Sequence, residues 1–217
     1  MRAIIFVNGD LGDPAVARAQ LRPGDFIICA DGGTHHALAL GVRPHAVVGD
    51  LDSLDDEDRE TLAVSGCELL AHPARKDETD MELALVYAVE RGATEVVILG
   101  ALGGRLDQSL ANVLLLAHPA LAGVEARIVA GSDTVLVVRG GEERVLRGAV
   151  GDTVSLLPLG GDVTGIITTG LEYPLRDGIL RFALARGISN VMTAAEARVR
   201  VGNGILLVIH TVVKRGT

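Results

Sequence analysis

The feature that most constrains how this chain folds is a unit repeated through its first 130 residues. Each unit is a short apolar run, then a polar cluster rich in Asp and Gly, then helix signals. The runs occupy residues 3–7, 26–30, 46–48, 69–71, 96–99 and 126–130. Consecutive apolar residues over so short a span suit strands buried on both faces, the condition of a parallel sheet covered by helices. Thr34 is expected to cap a helix through Leu40 that stops at Gly41, and Ser53 to cap one over 54–64 ahead of Gly66. Thr79 and Glu82 form a capping box opening a helix to Glu90 with a stop at Gly92, and a further helix covers 107–116, closed by Pro119. Alternating strands and helices imply a parallel sheet with right-handed crossovers.

Beyond residue 131 the pattern changes. Runs at 133–138, 143–147, 153–157, 163–168, 179–183, 196–201 and 205–213 are short, and several alternate in polarity. Gly140-Gly141, Gly151-Asp152, Gly160-Gly161-Asp162 and Gly202-Asn203-Gly204 separate them, which predicts an antiparallel sandwich. The expected organisation is an α/β domain over residues 1–130 followed by a β-sandwich domain over 131–217.

Charge divides the same way. The whole chain has formal charge −8, with net −10 over residues 1–130 and +2 over 131–217. An acidic first half repels nucleic acid, and three Phe, two Tyr and no Trp offer no platform for stacking bases. Nucleic-acid binding is therefore excluded, while acidic clusters attract cations that bridge to phosphate. No apolar run reaches the ~18–20 residues of a membrane helix, and the opening residues lack a leader's cleavage site. The chain reads as cytoplasmic. Cys29 and Cys67 read as small buried side chains, and the six histidines show no metal-ligand spacing. A Gly-x-Ser-x-Gly elbow, a P-loop and Gly-x-Gly-x-x-Gly are all missing from the sequence.

Polar residues gather where ligands bind open α/β sheets, just after each predicted strand. The clusters are Asn8-Gly9-Asp10, Asp31-Gly32-Gly33, Gly49-Asp50-Leu51-Asp52-Ser53, Lys76-Asp77-Glu78-Thr79-Asp80 and Gly103-Gly104-Arg105-Leu106-Asp107. Asp50 and Asp52, two apart on an extended segment, project to one side. Carboxylates ~4 Å apart repel by about 4 kcal/mol at an effective dielectric near 20, so a proton or a cation is needed between them. Asp77 and Asp80, three apart at a helix start, share a face. Hard carboxylates without Cys or His favour Mg²⁺. Gly32-Gly33 and Gly103-Gly104 let backbone N–H groups approach phosphate, with Arg105 and Lys76 as cationic donors.

Taken in order, these motifs resemble the thiamine pyrophosphokinase family. The resemblance continues through Gln108, Leu110-Ala111-Asn112, Thr168-Thr169-Gly170-Leu171-Glu172-Tyr173-Pro174-Leu175 and Gly187-Ile188-Ser189-Asn190, and covers nearly the whole chain. It implies a three-layer, Rossmann-like α/β domain followed by a sandwich. It also implies transfer of a diphosphate from ATP to thiamine with Mg²⁺, yielding AMP. By the same resemblance Asp50, Asp52 and Asp80 are the metal-binding and catalytic acids, with Asp77 beside them. Asp31, Gly32, Gly33, Lys76, Gly103, Gly104, Arg105 and Asp107 handle ATP, and Thr168, Thr169, Tyr173, Ser189 and Asn190 line the thiamine site. The family implies a homodimer whose thiamine pocket is shared between subunits. Two other readings use the same residues: a Mg²⁺-dependent nucleotide or sugar-phosphate hydrolase, and a non-catalytic nucleotide or vitamin sensor.

Overall fold

The computed structural model describes residues 1–213 and divides into two compact units, Met1–Gly131 and the residues from Ser132 onward. In the first unit, strands β1 (Arg2–Phe6), β2 (Phe26–Ala30), β3 (Ala46–Gly49), β4 (Glu68–Ala71), β5 (Glu95–Leu99) and β6 (Glu125–Ala130) fall on the predicted apolar runs. They lie in the order β4-β3-β2-β1-β5-β6, with every neighbouring pair parallel.

Helices α1 (Pro14–Gln20), α2 (Gly33–Ala39), α3 (Asp56–Val64), α4 (Asp80–Glu90) and α5 (Leu106–Leu115) connect them. On one face Ile4, Phe6, Ile27, Cys29, Val47, Val97 and Leu99 cluster with Ala17 of α1, Ala37 of α2 and Leu62 of α3. Side chains alternate along a strand, so the buried Ala3, Ile5, Ile28, Val48, Val96 and Ile98 serve the opposite face. There α4 lies along β1, β2 and β3 and buries Met81, Ala84, Leu85 and Ala88. Burial pushes the Cys29 thiol up and holds Cys67 at about 11, so both are inert apolar fillers at neutral pH.

The caps correct the sequence reading in two places. Gly32, not Thr34, stands at the start of α2, and the Thr34 hydroxyl donates to the Asp31 carbonyl at 2.7 Å. Asp55, not Ser53, caps α3 by accepting from the Asp58 N–H at 2.8 Å. Thr79 does cap α4, accepting from the Glu82 N–H at 3.2 Å. Helix α1 was not predicted, although Asp13 at its cap and Pro14 at its first turn are its start signals. Tyr87 of α4 is half-buried, and its hydroxyl donates to Glu68 at 2.9 Å.

The strand order sets the site. The sheet grows one way from β1 through β2 to β4 and the other way through β5 and β6. The crevice at the carboxyl ends of β1 and β5 is therefore a topological switch point, where ligands bind such sheets.

The second unit is antiparallel: β7 (Asp133–Arg139), β8 (Glu143–Arg147), β9 (Thr153–Thr169), β10 (Gly178–Leu180), β11 (Asn190–Val191), β12 (Glu196–Arg200) and β13 (Asn203–Thr211). Two strands and a turn were expected over 153–168; β9 is instead one continuous strand. Gly160 (φ +76°) and a register shift against β13 mark its bend. Its first half pairs with β13, and its last residues pair with β12. A strand that passes from one sheet to the other forms the corner of a sandwich. Val138, Leu146, Leu156, Ile166, Val199, Leu206 and Val208 fill the space between the sheets. Among the described residues no helix is long and apolar enough to cross a membrane.

Candidate active site

Four of the predicted polar clusters meet in the first unit. A cavity of about 280 Å³ is lined by Asn8 after β1, Asp31 and Gly32 after β2, and Asp50 after β3. Lys76, Glu78, Thr79 and Asp80 close it from the start of α4, and Gln108 and Asn112 from α5. Asp31, Asp50 and Asp52 each offer a carboxylate oxygen, and these atoms lie within 4.8 Å of one another.

The proximity of Asp50 and Asp52 was expected from an extended segment. It arises instead from a turn. Leu51 between them has φ +62°, and the Asp52 N–H donates to Asp50 Oδ1 at 3.2 Å. A left-handed backbone at a residue with a Cβ is uncommon, and the buried Leu51 side chain anchors it in the core. The Asp52 carboxyl is pushed up from its ordinary value, chiefly by the charge of Asp50 and further by Asp31 and Asp80. Ser53, freed from capping, donates from its hydroxyl to Asp31 Oδ1 at 3.0 Å.

Asp80, at the start of α4, also comes close to Gly49 at the end of β3. A Cβ on Gly49 (φ +154°) would lie 2.8 Å from the Asp31 Cβ and 3.2 Å from the Asp80 Cγ and Oδ1. Glycine at the end of β3 is what lets both acids flank it. Lys76 Nζ donates to Asp80 Oδ1 at 2.5 Å, in a pair largely shielded from solvent. Among the described residues none of Asp31, Asp50 and Asp52 is paired with a cationic side chain. Three hard oxygen donors that repel one another and lack a counter-charge suit a divalent cation.

Other expected residues lie outside this lining. Asp77 is exposed and precedes α4, so the helical spacing that would align it with Asp80 does not apply. Gly33 is used in packing: a Cβ there would sit 2.1 Å from the Phe6 carbonyl oxygen. Gly103 lies against Asp10, where a Cβ would meet the Asp10 Cβ at 2.5 Å, and Gly104 (φ +68°) faces open space. Arg105 and Asp107 are exposed and pair with each other through two hydrogen bonds of 3.1 and 2.6 Å. Sequence reasoning assigned no role to Asn8, Gln108 or Asn112 as individual residues, and gave Ser53 only a helix cap. Their signal was position alone, since each follows a strand or faces back from the next helix.

In the second unit Tyr173, Ser189 and Asn190 line one cavity of about 330 Å³, together with Leu156, Leu175, Arg186 and Ile188. The Asn190 side chain brackets the Tyr173 backbone, accepting from its N–H at 3.0 Å and donating to its carbonyl at 2.8 Å. Ser189 (φ +57°) is held by a 3.0 Å bond from its N–H to the Ser155 hydroxyl. Tyr173 is left 67% exposed, its ring free to cover a ligand. Thr168 is buried and its hydroxyl accepts from the Leu175 N–H at 2.8 Å, tying the loop that follows β9 back to that strand. Thr169 is exposed and outside the lining.

Both units match one family. Residues 18–129 match the catalytic domain of thiamin pyrophosphokinase, and residues 143–206 match its vitamin B1 binding domain. Thiamine pyrophosphokinase from Bacillus subtilis (strain 168) is 28% identical over 184 residues, covering 85% of this chain and 86% of that protein. The crystal structure of thiamin pyrophosphokinase from Geobacillus thermodenitrificans is 30% identical, covers 99% of both chains and has a TM-score of 0.83. That of the Bacillus subtilis enzyme, at 24% identity, has a TM-score of 0.86 over 99% of this chain and 100% of the other, a likeness of fold. Two matched segments joined in the same order, and a relative of equal length at 30% identity, show that the chain belongs to the thiamine pyrophosphokinase family.

Proposed function

We propose that this chain transfers the β,γ-diphosphate of ATP to the hydroxyl of thiamine, giving thiamine diphosphate and AMP. The observation that carries this reading is the meeting of Asp31, Asp50, Asp80 and Lys76 around one cavity, with Asp52 clustered against Asp31 and Asp50, at the switch point of a sheet of this family. A hydroxyl attacking the β-phosphorus brings a lone pair to an anionic chain. The protein's task is alignment and charge neutralisation rather than covalent help.

Asp31, Asp50 and Asp52 would hold a divalent cation, with Asp80 beside them, and their all-oxygen character favours Mg²⁺. When bound, that cation supplies charge neutralisation to the phosphate oxygens and the leaving AMP. Lys76, held at the cavity by Asp80, offers its ammonium to the phosphates as a point charge. Gly32 and Gln108 line the path the nucleotide would take. Gly33 serves by letting α2 pack close to β1, and Gly103, Gly104, Arg105 and Asp107 act around this cavity, Arg105 reaching phosphate once it exchanges its exposed partner Asp107. Tyr173 offers a ring face to the cationic thiazolium or the pyrimidine of thiamine, with Asn190 fixing its backbone and Ser189 lining the same cavity.

We read the active form as a homodimer in which the acidic cavity of one subunit serves the Tyr173 cavity of its partner, working in the cytoplasm. The exposed apolar row Leu106, Leu110 and Leu114 on α5 supports a covered surface. Light scattering at micromolar concentration tests this, with a fully active monomer as the contrary result. For the reaction, the protein is incubated with ATP and Mg²⁺ with and without thiamine, and the products are identified by mass. Thiamine diphosphate and AMP in equal amounts, formed only with thiamine, are expected. Thiamine-independent AMP or phosphate indicates a hydrolase, and binding without product indicates a sensor.

A further inference from the structure

Arg59, the fourth residue of α3, belongs to none of the motifs above. Its Nη2 donates a hydrogen bond back to the Leu51 carbonyl oxygen. Its Nε is buried without a hydrogen-bond partner. Among the described residues it forms no ion pair with a carboxylate.

That combination is informative. A guanidinium paired with Asp50 or Asp52, the residues on either side of Leu51, would compete with a cation for their oxygens. This one is directed at the backbone instead, at the cost of an unsatisfied buried N–H. The residue it holds, Leu51, is the left-handed one at φ +62° whose conformation brings Asp50 and Asp52 together. The Leu51 side chain is fixed in the core with Leu54 and Leu62, and its carbonyl is fixed by Arg59. A sparsely populated backbone conformation persists where the surroundings over-determine it, and such residues gather at functional sites.

We propose that Arg59 is a positioning residue: by holding the Leu51 carbonyl it keeps the Asp50-Leu51-Asp52 turn closed and so sets the affinity of the acidic cluster for a divalent cation. This rests on the reading of those carboxylates as cation ligands. The test titrates the full chain with Mn²⁺ alone, followed by electron paramagnetic resonance, for wild type, Arg59→Met, Arg59→Lys and Asp52→Asn. Metal-free urea unfolding runs beside it. Loss of one charge-assisted hydrogen bond predicts an Mn²⁺ dissociation constant raised about tenfold in Arg59→Met. Arg59→Lys, which keeps a donor and the charge, shows a smaller rise. The Mg²⁺ concentration for half-maximal rate rises in parallel, while kcat at saturating Mg²⁺ stays within about twofold of wild type.

A purely structural role lowers the urea midpoint and leaves Mn²⁺ affinity alone. Unchanged affinity in folded Arg59→Met therefore overturns the proposal. If Arg59→Met does not fold, unchanged affinity in Arg59→Lys overturns it equally. Equal Mn²⁺ affinity in wild type and Asp52→Asn is a separate failure, that of the cation reading itself.

Discussion

Replacing Gly49 by alanine perturbs the acidic cluster without altering any charge. The added Cβ would stand 2.8 Å from the Asp31 Cβ and 3.2 Å from the Asp80 carboxyl carbon and Oδ1. Carbon atoms rest about 3.5–4.0 Å apart, so Asp31 must retreat by roughly 1 Å. Misplacing a reacting constellation by about 1 Å costs on the order of 10²-fold, or about 2.7 kcal/mol of transition-state stabilisation. The φ of +154° disfavours a side chain as well, and overpacking a buried site costs about 1–3 kcal/mol in stability. The assay follows thiamine diphosphate by chromatography at varied Mg²⁺, with thermal unfolding of the same samples. A folded Gly49→Ala variant with a hundredfold lower kcat/KM is expected. Wild-type activity in that variant would refute the reasoning that β3 ends in glycine to admit Asp31 and Asp80.

Gly33→Ala forces a Cβ to 2.1 Å from the Phe6 carbonyl oxygen, a backbone atom that cannot rotate away. A loss of about 3 kcal/mol in urea unfolding is expected, and a loss below about 1 kcal/mol contradicts the close approach of α2 to β1. Asn190→Ala removes both bonds that bracket the Tyr173 backbone. KM for thiamine should rise about tenfold with KM for ATP nearly unchanged; equal effects on both contradict the assignment. Acid stability depends on Asp152. Burial alone would raise the Asp152 carboxyl, but bonds from the Ala149 and Val213 N–H groups and from His210 outweigh it and hold it below its ordinary value. A lowered folded-state value contributes stability above the unfolded value near ~3.9, lost as pH falls through the folded value. The deficit of Asp152→Asn relative to wild type is therefore full at pH 6 and shrinks below about pH 4 in urea titrations. A deficit that grows on acidification contradicts it.

How much of this was legible follows from which residues carry local information. The six parallel strands were, because consecutive buried positions leave a run such as Ala3-Ile4-Ile5-Phe6 with no polar interruption. Helix stops at Gly41 and Gly92 were, since their φ values of +70° and +84° suit glycine. Helix starts were less so, because Ser53, Asp55 and Asp56 are all able to cap and only tertiary contacts decide. Ser53 was claimed by Asp31, leaving Asp55 for α3.

The site shows the same division. That Asp50 and Asp52 are neighbours was readable, but the route was not, since nothing local announces a left-handed Leu51. Gly160 reads as a turn in isolation, yet β13 runs alongside β9 through the bend and keeps it one strand. Asn112, whose amide donates to the Ala101 carbonyl at 2.7 Å, becomes a lining residue only because α5 folds back over the cavity.

The most direct measurement is the anomalous diffraction of crystals grown with Mn²⁺ and a non-hydrolysable ATP analogue. Manganese peaks within bonding distance of the Asp31, Asp50 and Asp52 carboxylates, on the phosphate side of the cavity, are predicted. Phosphates bound elsewhere, or peaks away from all three carboxylates, would contradict the account.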